Sequence, residues 1–332
     1  MRRALLAAGA IALAVGGAAL ASALWALGPR DRSGSEQVFE VAPGESLPAI
    51  ALRLEQAGLV RHRWGVEAVG RHRGLASRLQ RGEYALSPAQ SPGEILEQIA
   101  SGRVITYAVS FPEGFTAAQF AERLASAGLA DRDAFLAAVR DPALTAQLGV
   151  EGDSLEGYLF PETYRFARGQ APDELARAMV GQFRRVWDAI EPLARERELG
   201  MRDVVILASL IEKETGAPDE RPLIASVFLN RLRLGMRLET DPSVIYGIAD
   251  FDGNLRRRDL ENGENPYNTY RISGLPPGPI ASPGAASLRA VVEPARTEYL
   301  FFVSRNDGSH TFSKTYAEHL AAVNRFQRAG GS

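Results

Sequence analysis

The run from Asp203 to Thr215 carries the sharpest chemical signal in the chain. At 100° per residue of a helix, Ile206, Leu207, Leu210 and Ile211 form one apolar stripe; Glu214 falls within its centre and Glu212 points nearly opposite. A carboxyl group at the end of a buried stripe is desolvated, so its pKa rises and it keeps a proton near neutral pH, as a general acid must. The alternative for Glu214 is a structural ion pair with a buried arginine, such as Arg231 or Arg237, while Glu212 and Lys213 read as a solvated face.

Other chemistries fail on inventory. The four histidines, His62, His72, His310 and His319, form no metal pair with a carboxylate at helical or strand spacing, and His310 on the last hairpin reads as a hydrogen-bonded structural group. There is no glycine-rich phosphate loop after a strand and no G-x-S-x-G elbow. Carboxylate chemistry remains, with no metal and no cofactor. Sugars are gripped by ring stacking and by hydrogen bonds from Asn, Thr and Tyr. Asn265, Tyr267, Asn268, Thr269 and Tyr270 cluster in one loop-rich stretch, and Thr240, Asp241 and Tyr246 follow the candidate helix. The alternative is loop chemistry, in which these side chains satisfy backbone groups.

Several elements must position these residues. The stretch LEGYLFPETY (155–164) packs aromatics, carboxylates (Glu156, Glu162) and turn residues together; helices are predicted over 173–199 and 202–215, and 263–285 is loop-rich. A strand over 299–304, a turn at 306–309 and a capping box Thr315-x-x-Glu318 close the chain.

Upstream, the chain repeats itself at an interval of about 70 residues. Pro43 to Leu47 followed by Ile50, Leu54, Gly58 and Leu59 matches Pro112 to Thr116 followed by Phe120, Leu124, Gly128 and Leu129. Each copy reads as strand, turn, N-capped helix and glycine stop. A return strand at 82–86 and a capped helix from Ser91 complete a small α+β module over 38–103; 104–150 holds the second copy, and 151–332 the candidate catalytic region.

The 332 residues are 45% apolar and 23% charged, with 38 basic against 40 acidic side chains, a composition that excludes general disorder and offers no basic excess for nucleic acid. The absence of cysteine removes thiol nucleophiles, iron–sulfur clusters and disulfide scaffolds. Residues 4–27 are uncharged after Arg2 and Arg3, and 24 helical residues extend roughly 36 Å, enough for a bilayer core. The positive-inside rule then leaves residues 1–3 in the cytoplasm and, beyond a linker at 28–37, the rest outside. A cleaved signal peptide shares the basic start, with Ala19-Leu20-Ala21 as a small-x-small site, but its apolar region is shorter.

On LEGYLFPETY (155–164), LASLIEKET (207–215), ASVFLNRLR (225–233), GMRLETDPSVIYG (235–247), YNTYRISGLPPGPIASPG (267–284) and HTF (310–312), the sequence resembles the endolytic murein transglycosylases of the MltG/YceG-like family. The resemblance implies a single inner-membrane span, a LysM-like peptidoglycan-binding module over 38–103, and a catalytic domain that cuts glycan strands internally. Its catalytic glutamate lies in IEKET, which offers Glu212 and Glu214; a helix-terminal Glu followed by Thr fits Glu214-Thr215, in agreement with the helix face. The expected reaction breaks the MurNAc–GlcNAc β-1,4 bond and leaves a 1,6-anhydro end, with Thr240, Asp241, Asn268, Tyr270 and Glu156 as candidates for holding the strand. Glycan strands are the expected substrate and peptidoglycan synthases (penicillin-binding proteins) the expected partners. The rival readings are a hydrolytic muramidase with Asp241 or Glu156 as second carboxylate, and a non-enzymatic anchor that binds peptidoglycan.

Overall fold

The structure, a computed structural model, describes residues 2–328. It is a mixed α+β chain in two compact units. The first comprises the residues up to Tyr107 together with Arg165–Gly169, and the second Ala108–Tyr164 and the residues from Gln170 onward.

The first unit begins with α1 (Arg2–Leu27), whose stretch Gly9–Leu27 has a mean hydropathy of 2.0 and is long and apolar enough to cross a membrane. β1 (Gln37–Val41), α2 (Leu47–Gln56), α3 (Arg63–His72) and β2 (Gly82–Leu86) follow, then α4 (Pro92–Ala100). β1 and β2 pair antiparallel, Gln37 opposite Leu86 and Val41 opposite Gly82, which brackets the two helices. Ile50, Leu54, Val66, Tyr84 and Leu96 fill the core between them. The capping box of α4 forms as the sequence indicates, Ser91 with Glu94. α3 has no counterpart in the sequence reading, because Gly65 and Gly70 depress helix propensity. Each glycine permits a close approach: a Cβ on Gly65 would lie 2.6 Å from the Ala26 carbonyl oxygen, and one on Gly70 2.6 Å from Leu47.

The segment predicted as a linker lies against this unit. Asp31 N–H donates to Pro88 O at 3.0 Å, and the Ser87 hydroxyl to Gly34 O at 2.7 Å. The segment 165–169 also completes the unit, since Arg168 pairs with Glu83 at 3.3 Å and lies over the Tyr107 ring. The Tyr107 hydroxyl donates to the same Glu83 at 2.6 Å.

β3 (Tyr107–Ser110) leads into the second unit, followed by α5 (Ala117–Ser126), α6 (Arg132–Val139), α7 (Pro142–Gln147) and β4 (Thr163–Phe166), which pairs with β3. Thr116 caps α5 in a box with Gln119, as the repeat predicts. The long α8 (Pro172–Glu196) turns Leu175, Met179, Phe183, Trp187 and Ile190 inward. Then come α9 (Met201–Glu214), α10 (Arg221–Arg233), α11 (Asp241–Tyr246), α12 (Arg257–Glu261) and α13 (Ala285–Val292). An antiparallel hairpin, β5 (Phe301–Ser304) with β6 (His310–Ser313), and α14 (Tyr316–Val323), opened by the Thr315–Glu318 box and continued by a π-helical turn at Asn324–Arg328, follow.

α9 is the central helix. Every residue from Val204 to Ile211 is buried, because α8, α10, α11 and α13 all pack on it. This corrects the expected amphipathic stripe: the helix has no solvated face along those two turns, and of the two residues read as solvated beyond them Lys213 is exposed whereas Glu212 is covered by the start of α13.

Candidate active site

Glu214 is the last residue of α9, where the helix emerges from the core; Thr215 is already extended. Its carboxyl group opens on a cavity of about 370 Å³ shared with Arg231, Asp241, Tyr270, Phe302 and His319. Burial pushes its pKa up to about 7, against the hydrogen bond from Thr240, while Asp241 raises it further and His310 and Arg231 act the other way. Such a carboxyl group is half protonated near neutral pH and can serve as acid and base in turn.

Thr240 is built to hold it. Its hydroxyl donates to Glu214 Oε1. Its own backbone is fixed from below, N–H donating to Thr269 Oγ1 at 2.9 Å and C=O accepting from the Ser243 hydroxyl at 2.9 Å. Thr269 and Ser243 are fully buried. The preceding Glu239 lies in the left-handed region at φ +49°, uncommon for a residue with a side chain, and its N–H donates to Thr269 O at 3.2 Å. That turn brings Thr240 under Glu214 and starts α11 at Asp241.

Asp241 accepts from the Tyr270 hydroxyl at 2.7 Å, and burial and this carboxylate drive the Tyr270 phenol well above its ordinary value. Asn268 does a different task from the one its type suggested. It is fully buried, its amide donates to the carbonyls of Asp259, Leu260 and Asn262, and its oxygen accepts from Tyr270 N–H. Asn268 therefore ties α12 to the loop that presents Tyr270, the loop-chemistry alternative.

Glu156 stands apart from this cavity. It accepts from the N–H of Ala117 in the first turn of α5 at 3.0 and 3.1 Å and from the Tyr246 hydroxyl at 3.2 Å. Burial, opposed by these bonds, lifts its pKa to about 7, and it borders a separate cavity of about 70 Å³ with Tyr246 and Tyr267. Asn265 likewise supports its loop, donating to Val244 O at 3.0 Å.

Glu212 is not on a solvated face. Its side chain is 5% exposed, pairs with Arg221 at 3.2 Å and accepts the Gly284 N–H at 2.9 Å. The two carboxylates of IEKET are thus separated by their position on the helix: one is neutralised by an arginine, the other is left to the cavity. The structural alternative for Glu214 does not form, since Arg231 donates instead to Leu300 O, Leu238 O and Glu239, and Arg237 to Tyr270 O.

Four side chains stand at or behind the site in roles that the sequence reading did not give them. Arg231, 7% exposed, places its positive charge on the cavity wall over the Phe301 ring. His319, from α14, stacks on Phe301 with ring centroids 5.2 Å apart; burial and Arg231 pull its pKa down, so the ring is neutral. Glu220 accepts from His310 N–H at 2.7 Å and bonds His310 Nδ1 at 2.6 Å, while Thr215 reaches it at 3.3 Å. Burial would raise the Glu220 pKa, but the His310 bonds outweigh it and lower it. His310 is thereby the structural group foreseen. Arg221 was hidden because it acts through Glu212, nine positions before it in the chain. Among the described residues, no group of three His, Asp or Glu side chains is arranged to hold a metal ion.

The sequence profile of the YceG-like family matches residues 39–325. A Bacillus subtilis protein named endolytic murein transglycosylase is 30% identical over 304 residues, covering 87% of this chain and 84% of its own. A protein of the same name from Streptococcus pneumoniae is 27% identical over 323 residues, 88% of this chain but 58% of its own length. The crystal structure of a YceG-like protein from Listeria monocytogenes aligns with a TM-score of 0.61 at 29% identity, covering 87% of this chain and all of that one.

Proposed function

The chain belongs to the YceG-like family, and from that premise we propose that it is a peptidoglycan lytic transglycosylase in which Glu214 is the catalytic acid and base. One observation carries the assignment: a carboxyl group buried at a helix end, held by one hydroxyl, unpaired with any arginine and open to a cavity.

Protonated Glu214 gives its proton to the oxygen that links MurNAc C1 to GlcNAc C4 as the C1–O bond breaks. The resulting carboxylate takes the proton of the MurNAc C6 hydroxyl, whose oxygen bonds to C1. No water enters, the acid is regenerated, and the products are a 1,6-anhydroMurNAc end and a free GlcNAc 4-hydroxyl. One carboxyl group serves both steps, whereas hydrolysis with retention or inversion uses a second carboxylate at a defined separation. Thr240 orients Glu214; Asp241 and Tyr270, with Arg231 and His319, supply the charged and aromatic wall against which the strand rests. Glu156 and Asn268 act through the loops they brace.

The module over 38–103, with two helices bracketed by an antiparallel strand pair, is LysM-like and grips glycan. α1 anchors the chain in the inner membrane with its N-terminus cytoplasmic and the catalytic domain outside, where nascent strands and their synthases meet it. Mass spectrometry of digested glycan strands tests the reaction: anhydro ends are expected with wild type and none with Glu214→Gln. Reducing ends carrying oxygen from labelled water would make the protein a muramidase, with Asp241 as the second carboxylate.

A further inference from the structure

α1 does not end in a free tether. Ala26 is fully buried against Gly65 of α3, where the backbones come close enough that only glycine fits. Arg61, just before α3, donates to Trp25 O at 2.8 Å and lies over the Trp25 ring at 5.4 Å, closing the end of the helix. Residues 28–34 then fold back on the same unit, and Arg30 reaches Val60 O at 3.4 Å. The last turn of the apolar helix and the first turn of α3 form one piece.

The surface around this contact has a particular chemistry. Trp25 is 53% exposed and Trp64, beside Gly65, 38%, although both are large apolar side chains in a unit with a well-filled core. Arg30, Arg32 and Arg63 are exposed around them, with Arg61 half-buried, and among the described residues none of the four has a carboxylate ion-pair partner; Asp31, Glu36, Glu55 and, on α3 itself, Glu67, which pairs with Arg71, are the acidic groups in the neighbourhood. Tryptophan beside arginine at the end of an apolar span is the composition that settles at a bilayer interface, rings among the acyl ends and guanidinium groups on phosphates. The exposed apolar surface of α1, including Leu20 and Leu24, runs directly into it.

We propose that this face of α3, with Trp25, Trp64, Arg61 and Arg63, seats the first unit on anionic phospholipid headgroups of the membrane that α1 enters. The seat rests on the reading of α1 as a membrane span. It makes the module a fixed platform at the bilayer surface.

The chain has no cysteine, so single labels can be placed at will. Ala68→Cys puts a fluorescent label one turn beyond Trp64 on α3, and Ser101→Cys puts one at the exposed end of α4. The full chain is reconstituted in phosphatidylglycerol-containing vesicles with brominated lipids as quenchers. Quenching at 68 is expected to exceed that at 101 by about threefold, because only the former lies within the interfacial layer. Gly65→Leu, which forces α1 from α3, and the milder Trp64→Ser should each bring 68 down towards 101 while the chain still resists alkaline carbonate extraction. Equal quenching at the two positions overturns the seat while leaving the span intact, as does Gly65→Leu without effect. Extraction of the wild-type chain by carbonate overturns the span and the seat together.

Discussion

Replacing Glu214 by Gln should make the protein more stable, and only above a certain pH. The buried carboxyl group titrates near 7 in the folded chain and near 4.5 when unfolded. The folded state therefore binds this proton more tightly, and stability falls as pH rises from 4.5 through 7. At about 1.4 kcal/mol for each tenfold in proton affinity, the full penalty above pH 7 is about 3 kcal/mol. Gln is isosteric, its oxygen still accepts the Thr240 hydroxyl, and it does not titrate. Below pH 4.5 both proteins carry a neutral group and should be equally stable; the advantage of Glu214→Gln then grows and levels off above pH 7. Denaturant unfolding in detergent followed by the fluorescence of Trp187, which is buried in α8 of the same unit, measures it. Glu156 has a similar pH dependence but is present in both proteins, so it cancels from the difference. A difference that is flat in pH, or that shrinks as pH rises, would refute the claim that burial holds Glu214 protonated.

Glu212→Gln should behave in the opposite way: it leaves Arg221 buried without its closest charge partner and costs about 3 kcal/mol of stability, with cleavage retained per folded molecule. Full stability with abolished cleavage would transfer the acid role to Glu212. Thr240→Val removes the hydroxyl that favours the Glu214 carboxylate, so the alkaline limb of the rate profile should move up by about half to one pH unit; an unmoved limb would show that Thr240 does not touch the acid in solution. His310→Phe leaves Glu220 with fewer donors. Because the folded Glu220 pKa is lowered, the loss should be about 1–2 kcal/mol at neutral pH and fade as pH falls below 4.5, read by the same unfolding assay.

Local signals carried much of this structure. The return strand 82–86, the Ser91 and Thr315 capping boxes and the strand-turn-helix repeat depend on near neighbours, and all appear where the residues indicate except the cap of the first copy, where Ser46 makes no side-chain hydrogen bond to α2. The long helix and Glu214 at the end of α9 were legible for the same reason. Failures share a cause in tertiary contact. α3 hides behind two glycines that make sense only once Ala26 and Leu47 lie against them. Glu212 passed for a surface residue because helix periodicity cannot know that a second layer, Arg221 and the Gly284 amide, covers the other side. Asn268 looked like a sugar ligand by type, yet its amide is engaged by three carbonyls at the end of α12. Arg231 and His319 reach the cavity from α10 and α14, far apart in the chain, with no spacing to announce them.

The small segment 165–169 has a practical corollary for anyone who wishes to separate the two units. The chain changes unit after Tyr107, after Tyr164 and again after Gly169, so no single cut divides it. A fragment ending at 107 keeps Glu83 and Tyr107 but discards Arg168, and a fragment starting at 108 carries Arg168 away from its carboxylate. Each half would contain one member of a severed ion pair, and the cut would fall within β3, leaving Tyr107 in the first fragment and the rest of that strand with β4 in the second. Swapping the membrane-proximal unit between relatives therefore means transplanting two pieces of sequence, the second only five residues long and lodged inside the other unit's chain.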